Sequence, residues 1–174
     1  MSGATIRHLT AANLYIGDDD TSLHLIINNV KLPKLTEKTK DHQPGGSPMG
    51  VKLGMQKLEP LDLTFKLEGY TPDQLSHFLQ PNRIWYTVRG NIRDMSQQLD
   101  IGVKILVEGR MTEVDRGEMG DDSISSDFTI TEIFKYQEFW GVEEKYNFDF
   151  DQGYNGIRID GKNPYETVAS NLGF

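Results

Sequence analysis

The amino-acid sequence predicts a mainly β protein, an antiparallel β-sandwich or barrel with one flanking α-helix and a long extended arm. Two segments alternate apolar and polar residues with a period of two, which is typical of strands that bury one face. Residues 31–55, in contrast, are polar and rich in glycine and proline. The apolar positions are Leu61, Leu63, Phe65 and Leu67 in the first alternating segment, and Leu99, Ile101, Val103, Ile105 and Val107 in the second.

The other strand signals are weaker, and the last of them is followed by a turn signal. Asn155-Gly156 favours a type I′ hairpin turn, because both central residues of that turn need positive φ. We therefore predict a hairpin that joins the strand ending at Phe150 to a strand at residues 157–159. The weaker strand segments are residues 23–30, 83–89, 124–139 and 145–150.

One helix is predicted over residues 72–80. Thr71 can cap this helix and Pro72 fits its first turn, while leucine and phenylalanine residues provide an apolar stripe. Pro81 is expected to end it. A second, short helix is predicted to begin near Pro164, with Asn163 as its cap.

Length and composition limit the organisation of the chain. At 174 residues, it suits one domain covering residues 1–174, within which residues 31–55 form the arm. It has no cysteine, so disulfides and cysteine-based metal or redox sites are excluded. We expect no membrane anchor, because no apolar run approaches the roughly 20 residues of a membrane span. A net charge of −8 argues against a protein that grips nucleic acid, although not against nucleic acid as cargo.

Metal and nucleotide sites have little support, and we predict no cofactor. Asp18-Asp19-Asp20 resembles the start of a calcium loop, but Leu23 and Asn29 stand where that loop needs glycine and glutamate. Gly45 and Gly50 have the spacing of a phosphate-binding loop, but Val51 replaces its lysine. The histidines lack the close spacing of paired ligands on one helix face; they are His8, His24, His42 and His77.

Short motifs along almost the whole chain, in one order, resemble the major tail tube protein of contractile-tailed phages and R-type pyocins. They comprise an opening strand, the start of the arm with a Lys-Thr pair and a Gly-Gly turn, a central Gly-Arg segment, a tyrosine and three closing motifs. In order, these are residues 13–17, Leu32-Pro33-Lys34-Leu35, Lys38-Thr39, Gly45-Gly46, residues 109–118, Tyr136, Phe150-Asp151, residues 155–161 and Asn171-Leu172-Gly173.

The resemblance implies a structural subunit, with no catalytic residue, that assembles into a hexameric ring with a continuous inner β-barrel. Rings would stack into the hollow tube of a virion tail, assembled in the bacterial host cytoplasm. DNA would pass through as transient, non-specific cargo, or ions would leak through a pyocin-like particle. The implied partners are further copies of the chain, the tail sheath protein, the baseplate hub, the tape-measure protein and the tail terminator.

Two groups of residues are candidates for the contacts of such a tube. The arm is the candidate for contact with the next ring or the adjacent protomer, and the polar faces of two strands are candidates for the lumen wall. The arm residues are Leu32, Pro33, Lys34, Leu35, Lys38, Thr39, Gly45, Gly46 and Pro48. The lumen-facing residues are Asp62, Lys66, Glu68, Asp100, Lys104 and Glu108.

Two alternatives remain open at the level of sequence. One is the tube subunit of a system resembling type VI secretion, which would pass effectors instead of DNA. The other is a small acidic β-fold hydrolase, since paired carboxylates can serve as general acid and base. Its candidate residues form an acidic cluster, for which an exposed loop is the competing interpretation: Glu113, Asp115, Glu118, Asp121 and Asp122.

Overall fold

A computed structural model of the chain describes residues 5–17, 22–120 and 124–174. Strands dominate it, as the alternating segments predict, and the helices are short. The strands are β1 (Arg7–Ile16), β2 (Ile27–Lys31), β3 (Glu37–His42), β4 (Val51–Leu58), β5 (Leu63–Glu68), β6 (Ile84–Asp94), β7 (Leu99–Asp115), β8 (Ser125–Trp140), β9 (Glu143–Asp149) and β10 (Ile157–Ile159). The helices are α1 (Pro72–Leu75), a 3₁₀ helix (Phe150–Asn155) and α2 (Glu166–Leu172).

Eight strands form one antiparallel sheet in the order β1-β6-β7-β8-β5-β2, with β9 and β10 branching from β8. The branch exists because β8 is long enough to pair twice on the same edge. Its first half pairs with β5 from Ser125 to Ile130, and its second half pairs with β9 from Lys135 to Trp140. Among the described residues, this sheet does not close into a barrel, and β1 and β2 are its end strands.

The core lies on one face of this sheet and joins all of its central strands. Leu63, Phe65 and Leu67 of β5 are fully buried, as predicted, and the ring of Phe65 stacks on Phe128 with centroids 5.1 Å apart. Each fully buried apolar side chain of this kind stabilises the fold by roughly 1.5–3 kcal/mol. Leu14, from the far end of the sheet, joins the same cluster, so the sheet must curl around its core.

The apolar face predicted for β7 is buried only in the middle of the strand. Ile105 and Val107 are in the core, whereas Leu99 is 57% exposed. Leu99 pairs only with Asp94 at the tip of the β6–β7 hairpin, beyond the reach of β8, whose pairing with β7 begins at Val103. Periodicity therefore identified the strand correctly but overestimated the length of its buried face.

The helix predicted over residues 72–80 is confirmed only in its first turn, and a second helix accompanies it. The backbone N–H of Thr71 donates to Gln74 Oε1 at 2.6 Å, which fixes the start of α1. The helix ends at Leu75 because Phe78 forms an isolated β-bridge with Met111 and Leu79 has a positive φ of 59°. The second, short helix predicted near Pro164 is present as α2, although Tyr165 and not Asn163 stands at its N-cap. The chain therefore has two flanking helices where the predicted fold class named one, and α2 buries Ala169.

The predicted type I′ turn at Asn155-Gly156 is wrong, although the strands on either side of it do pair. Gly156 has φ −82° and ψ −5°, and the connection is the 3₁₀ helix. A Cβ at Gly156 would clash with the carbonyl oxygen of Asp149, so close backbone approach, and not positive φ, is the reason for this glycine. The positive φ falls instead on Gly153, at 56°.

Candidate functional site

The segment predicted as an arm contains a β-hairpin that stands apart from the main sheet. Strands β3 and β4 pair with each other alone, from His42 opposite Val51 to Glu37 opposite Leu58. Every residue of both strands is exposed. The predicted arm therefore contains a regular hairpin, whose strands were not predicted, and this hairpin continues three residues past the predicted end at residue 55. The period-two alternation of β4 was the signal in the sequence that could have shown it.

One face of β4 presents an apolar stripe to solvent. Val51, Leu53 and Met55 occupy alternate positions and are 42%, 47% and 44% exposed. Alternate residues of a strand point to the same side, so these side chains form a continuous strip. Contiguous exposed apolar surface on a soluble protein commonly marks an interaction site. The opposite face of the hairpin carries polar residues, among them Asp41 opposite Lys52.

The predicted arm residues are distributed between the entry to the hairpin, β3 and the turn. Lys38 and Thr39 lie on β3, while the predicted glycines and Pro48 lie in the turn between β3 and β4. All nine predicted positions are exposed except Pro33, which is buried. The turn is internally bonded, since Gln43 Nε2 donates to the carbonyl oxygen of Ser47 at 3.1 Å.

The base of the hairpin is attached to the C-terminal part of the chain. Tyr165 Oη donates to the carbonyl oxygen of Gln56 at 2.5 Å, and burial raises the pKa of the Tyr165 phenol. An open groove of about 710 Å³ lies between the two parts. Leu35, Leu58 and Phe148 are among its apolar lining residues. The hairpin therefore projects from a fixed base.

The outer face of the main sheet is polar, and it carries the candidate lumen residues of β7. Asp100, Lys104 and Glu108 alternate with the core residues of that strand. Lys135 of β8 lies 3.7 Å from Glu108, and Arg93 of β6 lies 3.9 Å from Asp100. The face is therefore mixed in charge rather than simply acidic.

The candidate residues of β5 lie on the polar side of their strand but in a different part of the sheet. Lys66 pairs across the sheet with Asp127, and Asp127 in turn pairs with Asp115 near the end of β7. Asp62 precedes the first residue of β5. The structure thus places the six candidates in two groups, separated by β8.

Sequence reasoning missed the cations that share this face with the β7 group. Arg89 and Arg93 of β6 lie opposite Lys104 and Asp100, respectively. Strand β6 continues to Asp94, five residues past the predicted end at residue 89. Alternation of Arg89, Asn91 and Arg93 with Val88, Gly90 and Ile92 was the available signal, weakened by the glycine and asparagine, which are uncommon in strands.

An ion cluster fixes an irregular point of β8. Glu132 has a positive φ of 51° and lies 2.8 Å from Arg110 Nη1 and 3.1 Å from Arg83 Nη1. The hydrogen bond from Arg110, followed by that from Arg83, holds the pKa of Glu132 below its usual range. The Arg83 guanidinium also lies 3.6 Å from the centroid of the Phe134 ring. The cluster joins β7 to the segment before β6.

The described members of the acidic cluster considered for a hydrolase do not line the groove beside the hairpin. Glu113, Asp115 and Glu118 are exposed, and Asp115 Oδ1 accepts a hydrogen bond from the backbone of Gly117 at 2.9 Å. The other two members, Asp121 and Asp122, lie outside the described residues, as does the Asp18-Asp19-Asp20 run. Within residues 5–17, 22–120 and 124–174, no group of three or more metal-ligating side chains is assembled and no helix is long and apolar enough to cross a membrane.

A family model described as Phage tail tube protein FII matches residues 6–173. No curated protein matches the sequence.

Two solved structures of an extracellular contractile injection system are similar to this chain. One is of the PVC sheath/tube terminator in the extended state, with a TM-score of 0.53, 12% identity, and coverage of 80% of this chain and 99% of that chain. The other is of the PVC sheath-tube complex in the extended state, with a TM-score of 0.51, 12% identity, and coverage of 75% and 88%. At this identity, the similarity establishes a shared fold.

Proposed function

Because the chain belongs to the phage tail tube protein FII family, a family of structural tail proteins and not of enzymes, we propose that its copies form hexameric rings that stack into a hollow inner tube. Each protomer would contribute its main sheet to a continuous inner barrel. DNA would pass through the channel on ejection, or ions would leak through it in a pyocin-like particle.

The observation that carries this proposal is the open sheet of the single protomer. Strands β1 and β2 each pair with only one neighbour among the described strands. Such edges leave backbone donors and acceptors available for pairing with another chain. Pairing the β1 edge of one copy with an edge of the next is a heterologous contact, and a heterologous contact that closes generates a ring.

The hairpin would supply the second type of contact. Its stripe of Val51, Leu53 and Met55 lies outside the core, so covering it with a neighbouring copy removes apolar surface from water. A projecting hairpin can reach a copy in the next ring or beside it in the same ring. Ring-to-ring contacts of this kind do not close, and they therefore propagate a filament.

The polar face of β6, β7 and β8 is the proposed lumen wall, including Asp100, Lys104 and Glu108. In a closed ring, one face of the sheet must point to the channel, and the other is filled by the core. The β5 group, with Asp62, Lys66 and Glu68, would lie farther along the same polar surface. We propose as partners the sheath, the baseplate hub, the tape-measure protein and the terminator, with assembly in the host cytoplasm.

The first experiment measures the mass of the purified chain by light scattering and images the same sample by negative-stain electron microscopy. Six-fold rings or hollow tubes would support the proposal. A chain that stays monomeric at every concentration, even with preassembled baseplates as nuclei, would contradict it.

A second experiment tests the lumen wall. The chain has no cysteine, so a single introduced thiol is unique. Asp100→Cys in an assembled tube should resist a bulky maleimide reagent that labels the dissociated protomer. A matched Glu118→Cys variant, on the exposed loop after β7, provides the comparison. Rapid labelling of Asp100→Cys in intact tubes would place the polar face outside the channel.

A further inference from the structure

Two basic side chains, those of Arg89 and Lys104, lie side by side near the centre of the polar face of the sheet. Arg89 of β6 lies directly opposite Lys104 of β7 in the strand register. Like charges directly opposite each other in an antiparallel pair destabilise the sheet. Within the described part of the chain, neither side chain forms an ion pair, whereas Arg93 and Lys135 on the same face each have a carboxylate partner.

The register shows why intramolecular carboxylates do not neutralise this pair. The cross-strand pairs on either side of it on this face are neutral: Thr87 with Leu106, and Asn91 with Gly102. Asp100 and Glu108 are each four residues from Lys104 along β7, which is about 13 Å of extended strand. Each of those acids also has its own cation nearby.

The strands that flank the pair add no charge close to it. Asn13 of β1 lies opposite Arg89, and Phe139 of β8 lies opposite Lys104. The nearest acid in this row is Glu144, which pairs with Phe139 one strand farther away. The Arg89 guanidinium lies 5.8 Å from the centroid of the Tyr15 ring, a cation–π distance that helps to orient it.

We propose that Arg89 and Lys104 form a phosphate-contacting position for a nucleic acid that moves along the polar face. This inference rests on the proposed function, in which that face lines the channel. Six copies in a ring would then place a belt of two cations per copy around the cargo. The paired charges on either side would be nearly neutral, so contact would be local, weak and dependent on salt.

The test uses the full chain at concentrations below assembly and a fluorescent 12-base-pair DNA duplex, with binding followed by anisotropy. Wild-type protein should bind at low salt, and affinity should fall with salt with a log–log slope of about −1.8, the value for two phosphate contacts. The variant Arg89→Gln/Lys104→Gln should lose most of this slope and at least about tenfold in affinity at low salt.

The control variant Arg93→Gln/Lys135→Gln makes the same change in net charge and removes cations that already have carboxylate partners. It should keep the wild-type slope. Equal losses in the two variants would overturn the proposal, because binding would then follow net charge and not position. Tighter binding of a polyglutamate peptide than of the duplex would overturn it in favour of an acidic protein as occupant.

Thermal melting without DNA shows whether the Arg89→Gln/Lys104→Gln variant is folded, and it tests the opposed charges independently of binding. Removing the opposed charges should raise the melting temperature of Arg89→Gln/Lys104→Gln at low salt, and the increase should shrink at high salt. A lower melting temperature would contradict the claim that Arg89 and Lys104, as opposed like charges, destabilise the sheet. Failure of the wild-type chain to form tubes would count against the proposed function alone, since the duplex titration is made on the protomer.

Discussion

Replacing the apolar stripe of the hairpin with threonine should block assembly while leaving the protomer folded. The variant Val51→Thr/Leu53→Thr/Met55→Thr keeps a residue type that favours strands. In the protomer the three side chains are 42%, 47% and 44% exposed, so each contributes only part of its full burial free energy to folding. Full burial of such a side chain is worth roughly 2 kcal/mol, so covering the remaining exposed part stabilises an interface by about 1 kcal/mol for each residue.

The three residues together therefore contribute about 3 kcal/mol to each hairpin contact. Because 1.4 kcal/mol corresponds to a tenfold change in an equilibrium constant, the critical concentration for tube formation should rise about 100-fold. Sedimentation of tubes across a concentration series measures this quantity directly. Circular dichroism of the unassembled chain shows whether the fold is retained.

The matched control is Asp41→Asn/Lys52→Thr, a cross-strand pair on the opposite face of the same hairpin. This change removes charge but no apolar contact, and its critical concentration should stay within a few-fold of wild type. The reasoning would be refuted if the threonine variant assembled normally, or if the control impaired assembly as strongly. A threonine variant that unfolded would show that the stripe supports the protomer itself.

Three further predictions concern the protomer. Phe65→Ala removes a side chain that is 1% exposed and stacked on Phe128. It should lower the free energy of unfolding by about 4 kcal/mol and the melting temperature by roughly 10 °C. A loss under about 1 kcal/mol in chemical denaturation would contradict the central place of Phe65 in the core. Gly156→Ala should lower the free energy of unfolding by about 1–3 kcal/mol, because the new Cβ meets the Asp149 carbonyl. Gly102→Ala is the control, since the space around Gly102 is open, and it should change stability little. Equal effects of the two substitutions in thermal melts would contradict the close approach of Gly156 to Asp149. Glu132→Gln should have a lower melting temperature than wild type near pH 7. Because the pKa of Glu132 is lowered in the folded chain, the difference between the two melting temperatures should disappear as the pH falls from the ordinary pKa of 4.5 through the folded pKa. A difference that persisted at the lowest pH would rule out the ion cluster as its source.

The parts of the fold that the sequence predicts are those in which burial alternates without interruption. Leu61, Leu63, Phe65 and Leu67 all face the core, so periodicity alone located β5. The helix after it was predicted too long because local propensity cannot anticipate the bridge between Phe78 and Met111, two residues far apart in the chain. The branching of β8 was invisible for the same reason, since which strands share an edge depends on long-range pairing.

The candidate contact surfaces were predicted less completely than the fold. The Gly/Pro content of residues 31–55 indicated an arm, but it obscured the alternation of Val51, Leu53 and Met55 that makes β4 a strand. The acidic residues of β7 were found from their strand, whereas the cations that balance them lie on β6 and β8. Net charge gave no information about this arrangement, because a sum over the chain does not record position.

The pairing of β1 with β6 has a consequence for how the chain reaches its folded state. Arg7 lies opposite Asp94, so the first strand made on the ribosome has no partner until about half of the chain has been synthesised. Contacts this distant in sequence slow folding, and strands that wait for a partner expose edges that promote aggregation. Nascent chains therefore carry an unpaired β1 that any neighbouring copy could capture too early. Fast translation as far as the end of β6, or a chaperone that covers β1 until β6 is available, would shorten or mask this exposure and protect the supply of competent subunits.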